Sequence, residues 1–215
     1  MKRFCEMMKS NKGITLLELI IAIAILAILV GFITPQYMKY VHRSRQATDV
    51  ENAQKIGEAF ERAFVYDEDA YQIYTNWKSL ETTVNATVEG VNERYKVYLI
   101  LSTETKGFFS GGTDAFKRPL SSGKCFYDII NEEMGVMYET KGKKDTATYV
   151  NEILVPNYKV VGPDGNTKID RWRVCKRKDN GRIEVWSAYD LRDGKSYGGK
   201  PCYRVWPSPD DIYTK

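Results

Sequence analysis

The sequence predicts an α+β protein in which a long N-terminal helix, apolar all round in its first half and amphipathic in its second, packs on an antiparallel β-sheet. Three observations carry this expectation. Ile14 to Ile33 is a run of twenty residues whose only polar members are Thr15 and Glu18; at 1.5 Å per residue it spans ~30 Å, one bilayer hydrocarbon core. Beyond it, Val50, Ala53, Gly57, Phe60 and Phe64, with Ile56 and Ala63 alongside, recur at spacings of three and four, while Asp49, Glu51, Lys55, Glu58 and Arg62 fill the other side. The rest of the chain carries β-signals, and a helix followed by a set of strands is the pattern of an α+β domain.

In chain order, residues 1–13 form a short basic leader, 14–35 the membrane half of the helix and 36–66 its amphipathic half, and 67–215 make one sheet domain. The apolar run is longer than a secretory signal peptide needs, and its only small-x-small pattern, Ala22-Ile23-Ala24, lies inside it. Pro35 has no N–H for the carbonyl of Gly31, which predicts a kink or loosening between these two residues. Gly57, in the middle of the striped half, predicts close approach by the sheet.

Residues 67–94 show no sustained period and read as an irregular connection, with Tyr71 to Leu80 as a short helix at most. The sequon Asn85-Ala86-Thr87 falls in that stretch and reads as loop. Tyr95 to Leu101 is a central strand by its Val, Tyr and Ile content. Gly107 to Thr113 reads as a turn, Cys125 to Glu133 as a short helix, and Tyr149 to Val155 as a helix or an edge strand. The clearest hairpin is Arg171–Lys178 and Arg182–Tyr189 around Asp179-Asn180-Gly181, because Asn-Gly supplies the positive φ angles of a tight turn. A last strand, Cys202 to Trp206, leads into a polar tail.

Composition excludes several functions. The leader carries Lys2, Arg3, Lys9 and Lys12 against Glu6, a net +3 of the chain's +4, so the remainder is nearly neutral, which argues against nucleic acid as a partner. A single histidine, His42, argues against His-dependent metal sites and Ser-His or Cys-His catalysis, so neither an enzyme, a cofactor nor a metal is expected. Glu18 is the sole charge between Ile14 and Lys39; an unpaired acid in lipid costs about 2.5 to 3.5 kcal/mol, which calls for a cationic partner.

The basic leader ending in Gly13, the following Ile14-Thr15-Leu16-Leu17-Glu18, the apolar helix, Pro35, and the tyrosines Tyr37 and Tyr40 together resemble the type IV pilins and pseudopilins, with Ile14 where that family usually has Phe. The resemblance covers about the first fifty residues. It implies cleavage between Gly13 and Ile14 by a membrane prepilin peptidase, N-methylation of Ile14, and self-assembly into a filament through Glu18 and Pro35 by way of a pilus assembly machinery. It also implies a single-pass cytoplasmic-membrane precursor that becomes an extracellular surface filament, with the sheet domain outside. The alternatives within this reading are a minor pilin, a type II secretion pseudopilin, and a filament-borne adhesive module whose surface ligand the sequence does not name. The tail Ser208-Pro209-Asp210-Asp211-Ile212, with Asp190 and Asp193, resembles the calcium loop of major pseudopilins, but a basic-aromatic strand separates the two acidic groups, so they read as solvated loop acids.

Cleavage removes Cys5 and leaves Cys125, Cys175 and Cys202. Cys175 and Cys202 both fall on strands of the final sheet and are the expected disulfide on an oxidising exterior; closing about 28 residues is worth roughly 3.5 kcal/mol in the chain-entropy picture. Three reduced thiols are the alternative.

Overall fold

A computed structural model describes residues 14–68, 71–72, 82–88, 91–103, 109–111, 123–136, 138–140, 147–149, 156–157, 169–188 and 202–214. The fold is α+β. Its elements are α1 (Leu16–Tyr66), β1 (Thr82–Val88), β2 (Val91–Thr103), β3 (Phe109–Gly111), α2 (Phe126–Glu133), β4 (Tyr138–Thr140), β5 (Ala147–Tyr149), β6 (Arg171–Arg177), β7 (Ile183–Ala188), β8 (Cys202–Trp206) and α3 (Asp211–Thr214). The chain divides into two compact units, Met1–His42 and Arg43–Lys215, with α1 running through the boundary.

In the first unit the apolar residues of α1 lie bare: Leu16, Leu19, Ile23, Leu26, Val30 and Ile33 are each at least half exposed. This is one helix long and apolar enough to cross a membrane. Lipid is the solvent that its composition suits, because every backbone group inside a helix is satisfied without water.

In the second unit the stripe on α1 is buried as its spacing predicts. Ala53, Ile56, Phe60, Ala63 and Phe64 join Trp172, Val174, Ile183, Val185 and Val205 of the sheet and Phe126, Ile129 and Ile130 of α2 in one apolar core. Phe60 meets Phe109 edge-on at 5.2 Å and Phe64 stacks on Phe126 at 5.7 Å, both within the favoured range for ring pairs. Gly57 is the closest approach: a Cβ at that position would sit 2.6 Å from Cε3 of Trp206.

Among the described residues six strands form the main sheet in the order β1-β8-β7-β6-β2-β3, and β1 also pairs with β2, so the ladder closes on itself. β1 and β8 run parallel; the other pairs are antiparallel. β2 is central, as expected, and longer than Tyr95–Leu101. β4 and β5 form a separate two-stranded ladder.

Several expectations need correction. Residues 82–88 are not irregular connection but strand β1, paired with β2 from Thr82↔Val97 to Val88↔Val91; only Glu89 and Gly90 separate the two, the length of a tight hairpin. Asn85 therefore lies in a strand. Phe109 to Gly111 is strand β3 rather than turn, and the buried Asn131 of α2 holds it by accepting from Phe109 N–H at 3.0 Å and donating to Phe109 C=O at 3.1 Å. The tail is not merely polar: Tyr213 of α3 is buried and donates to Ser187 Oγ at 2.8 Å, and Gln46 of α1 donates to Ile212 C=O at 2.6 Å. Asp49, assigned to the solvent side of α1, is buried and accepts from Asn157 N–H at 2.7 Å. The helix or strand expected over Tyr149 to Val155 lies mostly outside the described residues, as does the helix over Tyr71 to Leu80.

The β6–β7 hairpin stands where Asn180-Gly181 places it, with Gly181 at φ 69°. Its alternating charged residues are not solvated, however: Arg171, Arg173 and Glu184 are all buried. Glu184 accepts from Trp186 Nε1 at 3.1 Å and from Arg204 at 3.4 Å, and Arg177 lies 3.9 Å away. Burial nevertheless dominates and raises the Glu184 pKa above its ordinary 4.5.

Two outcomes are expected. Gly57→Ala gains helix propensity but overpacks against Trp206, and overpacking of this kind costs about 1–3 kcal/mol; urea unfolding should show a net loss of stability, while Gly31→Ala, where nothing lies within 4 Å of an added Cβ, leaves the sheet unit unchanged. The second concerns pH. A carboxyl whose folded pKa is raised binds protons more readily folded than unfolded, so its contribution to stability falls as pH rises from about 4.5 through the raised value. Glu184→Gln removes that slope, and the stability difference between Gln variant and wild type, measured by unfolding at a series of pH values, should shift in favour of the variant across that window.

Candidate functional site

The segment with the strongest functional signature is the start of α1. Gly13 lies outside the described residues; Ile14 and Thr15 precede the helix, and regular helix begins at Leu16. Ile14 is 77 % exposed. The reason the helix starts here is local. Thr15 N–H and Thr15 Oγ1 donate to Glu18 Oε2 at 2.9 and 3.0 Å, and Glu18 N–H donates back to Thr15 Oγ1 at 3.3 Å. This reciprocal pairing of a Thr with a Glu three residues on is a capping box, which satisfies two of the orphan N–H groups that every helix start leaves.

Sequence reasoning treated Glu18 only as an acid in need of a cation and missed Thr15. The signal was present as Thr-x-x-Glu immediately before an apolar run. The box changes the energetics of Glu18, because two donors on its own chain now solvate one carboxylate oxygen. A carboxylate has about four lone-pair sites, so capacity for a cation remains after both Thr15 bonds.

Pro35, the other residue singled out in the membrane half, sits inside α1, and the helix is unbroken across it. The residue before it, Thr34, donates its hydroxyl to Val30 C=O at 2.6 Å, a bond back to the preceding turn of the kind that often bends a helix.

The cysteines are arranged differently from the expected pairing. Cys175 on β6 is level with Glu184 of β7, whereas Tyr203, the residue after Cys202 on β8, is level with Ser187, itself opposite Trp172. β7 therefore lies between the two cysteines, and they fall near opposite ends of the ladder. Two strand spacings alone amount to about 9.6 Å, beyond the ~7 Å Cα separation that a disulfide spans. The Cys175–Cys202 pairing is corrected on that ground. Cys125 is half-buried at the N-cap of α2, where burial and the neighbouring Asp128 raise its thiol to about 11.

In the tail, Asp210 is buried rather than solvated, and its side chain accepts from Ile212 N–H at 3.4 Å at the start of α3. Asp190 and Asp193 lie outside the described residues. Among the described residues no group of three or more His, Cys, Asp or Glu side chains is placed to hold a metal ion.

Residues 8–34 match the prokaryotic N-terminal methylation motif, the leader motif of type IV pilins and pseudopilins. The match covers Gly13, Ile14, Thr15 and Glu18 and ends one residue before Pro35. No solved structure matches the chain.

Proposed function

We propose that this chain is the precursor of a structural subunit of a type IV pilus-like surface filament. A prepilin peptidase hydrolyses the Gly13–Ile14 bond, the new amine of Ile14 is methylated, and the mature subunit leaves the membrane for a filament in which its apolar half-helix is covered by other copies. The observation that carries the reading is the coincidence of the methylation motif over residues 8–34 with a helix that is bare, apolar and interrupted by a single acid near its start. A bare helix of this kind is at home in lipid, and in a filament core other copies take the place of lipid.

Glu18 is the residue on which assembly turns. The Thr15 box meets part of its need for donors, and a cation meets the rest. The Ile14 amine of its own chain is four residues back, where the same helix start bends poorly to reach it; the Ile14 amine of a neighbouring copy reaches without strain. An unpaired buried charge costs several kcal/mol, so a subunit is accepted only in the register that makes this contact.

The processing step is tested by intact mass and N-terminal analysis of the mature chain, which is expected to begin at methylated Ile14; a chain beginning at Met1 or beyond residue 30 contradicts the proposal. For assembly, Glu18→Ala should leave membrane insertion and leader cleavage largely intact while sharply reducing incorporation into sheared filaments, with Glu18→Asp intermediate. Glu18→Gln separates charge from capping, since Gln also completes a capping box. It is expected to fail in assembly as Glu18→Ala does, and normal filament yield from it would show that the cap, not the charge pair, is what assembly requires.

A further inference from the structure

The chain contains a single Asn-Gly pair, Asn180-Gly181, at the tip of the β6–β7 hairpin. Such a pair is chemically labile, because a backbone nitrogen belonging to a residue without a Cβ approaches the preceding side-chain amide with little hindrance. Asn180 is exposed to water. The tip is also tied shut: Gly181 N–H donates to Arg177 C=O at 3.0 Å, Arg177 N–H donates to Arg182 C=O at 2.8 Å, and Asn180 Oδ1 accepts from Arg182 N–H at 3.0 Å. Asp179 latches this turn. Its carboxylate accepts Arg177 Nε at 2.8 Å and a second guanidinium bond from Nη2, and it also accepts Asn180 N–H at 2.9 Å. The Arg177 guanidinium holds the Asp179 pKa down to about 2, so the latch is charged at any ordinary pH.

We propose that Asn180 is a spontaneous deamidation site whose rate is governed by fraying of this hairpin tip. The Gly181 backbone nitrogen attacks Cγ of Asn180 and forms a new C–N bond; the Cγ–Nδ2 bond breaks, and Nδ2 leaves as ammonia after taking up the proton that Gly181 N–H gives up. Water then adds to one of the two carbonyls of the resulting succinimide and yields aspartate or isoaspartate. No oxidant or reductant enters. In the closed turn the attacking nitrogen is engaged with Arg177 C=O and the amide oxygen with Arg182 N–H, so both must be released first, and local opening at exposed hairpin ends is the cheapest motion a sheet makes.

The product places a new carboxylate beside Asp179, where it competes for Arg177, the cation that also lies 3.9 Å from buried Glu184. Isoaspartate additionally inserts a methylene into the backbone at the residue that sets the hairpin register. This inference goes beyond the filament reading and does not depend on it.

The test is incubation of the purified full chain in detergent, in mildly alkaline buffer at physiological temperature, folded and in urea, with peptide mass mapping for a gain of about 1 Da at residue 180 and assay for isoaspartate. The wild type is expected to deamidate at Asn180 at least about tenfold faster in urea than folded, with folded Asp179→Ala between the two. Equal rates in folded and unfolded wild type, absence of modification at Asn180 in urea, or a folded Asp179→Ala rate no higher than wild type would each overturn the proposal.

Discussion

The contact of Trp206 with the bare backbone at Gly57 is the constraint around which the sheet unit is built. An indole ring packed this near a helix axis leaves no space for a Cβ, so β8 is fixed in depth against α1, and β7 and β6 follow through their ladders. The stripe of Ala53, Ile56, Phe60, Ala63 and Phe64 then meets the inner residues of those strands as one continuous core. Small residues at 53, 57, 59 and 63 recur along the buried side of the helix, and dispersion contacts at such short range fall off steeply with any gap.

Around this core, polar side chains finish what apolar packing begins. Asn131 bonds β3 as a neighbouring strand would, using its amide in place of a backbone peptide. Asp49 and Gln46 on α1 hold Asn157 and Ile212, so one turn of helix ties down two distant stretches of chain. Glu184, Trp186 and Arg204 do the same across β7 and β8. Each of these groups is buried or nearly so, and a buried donor or acceptor left without a partner costs about 1–3 kcal/mol; such pairs select one arrangement of the loops over many others of equal hydrophobic content.

The start of α1 joins two demands at one residue. Glu18 completes the cap that starts the helix and carries the only charge of the apolar segment. A neutral residue would serve an apolar span better, and a simple N-cap would need only Thr15; the combination of an acid, a cap and a leader matching the methylation motif is what makes the segment informative. The same coincidence explains why this short stretch says more about function than the much larger sheet unit, whose features are those of a well-packed domain.

The sequence by itself determined the apolar span, the buried stripe of α1, the close approach at Gly57, the Asn180-Gly181 hairpin and the leader signature, because each is a local pattern of period, turn chemistry or motif that no other part of the chain has to confirm. The Thr15–Glu18 cap was equally local and could have been read from its spacing. Tertiary structure alone decided the rest. β1 alternates weakly and gains its identity from pairing with β2 and β8, and β3 gains its own from pairing with β2 and from the two bonds of Asn131 to Phe109. Arg171, Arg173, Glu184 and Asp49 look like surface residues in any window, since burial of a charge depends on partners far away in sequence. The cysteine pairing failed for the same reason: being on strands of one sheet is a sequence-level inference, but the intervening β7 and the register that separates Cys175 from Cys202 are properties of the assembled ladder.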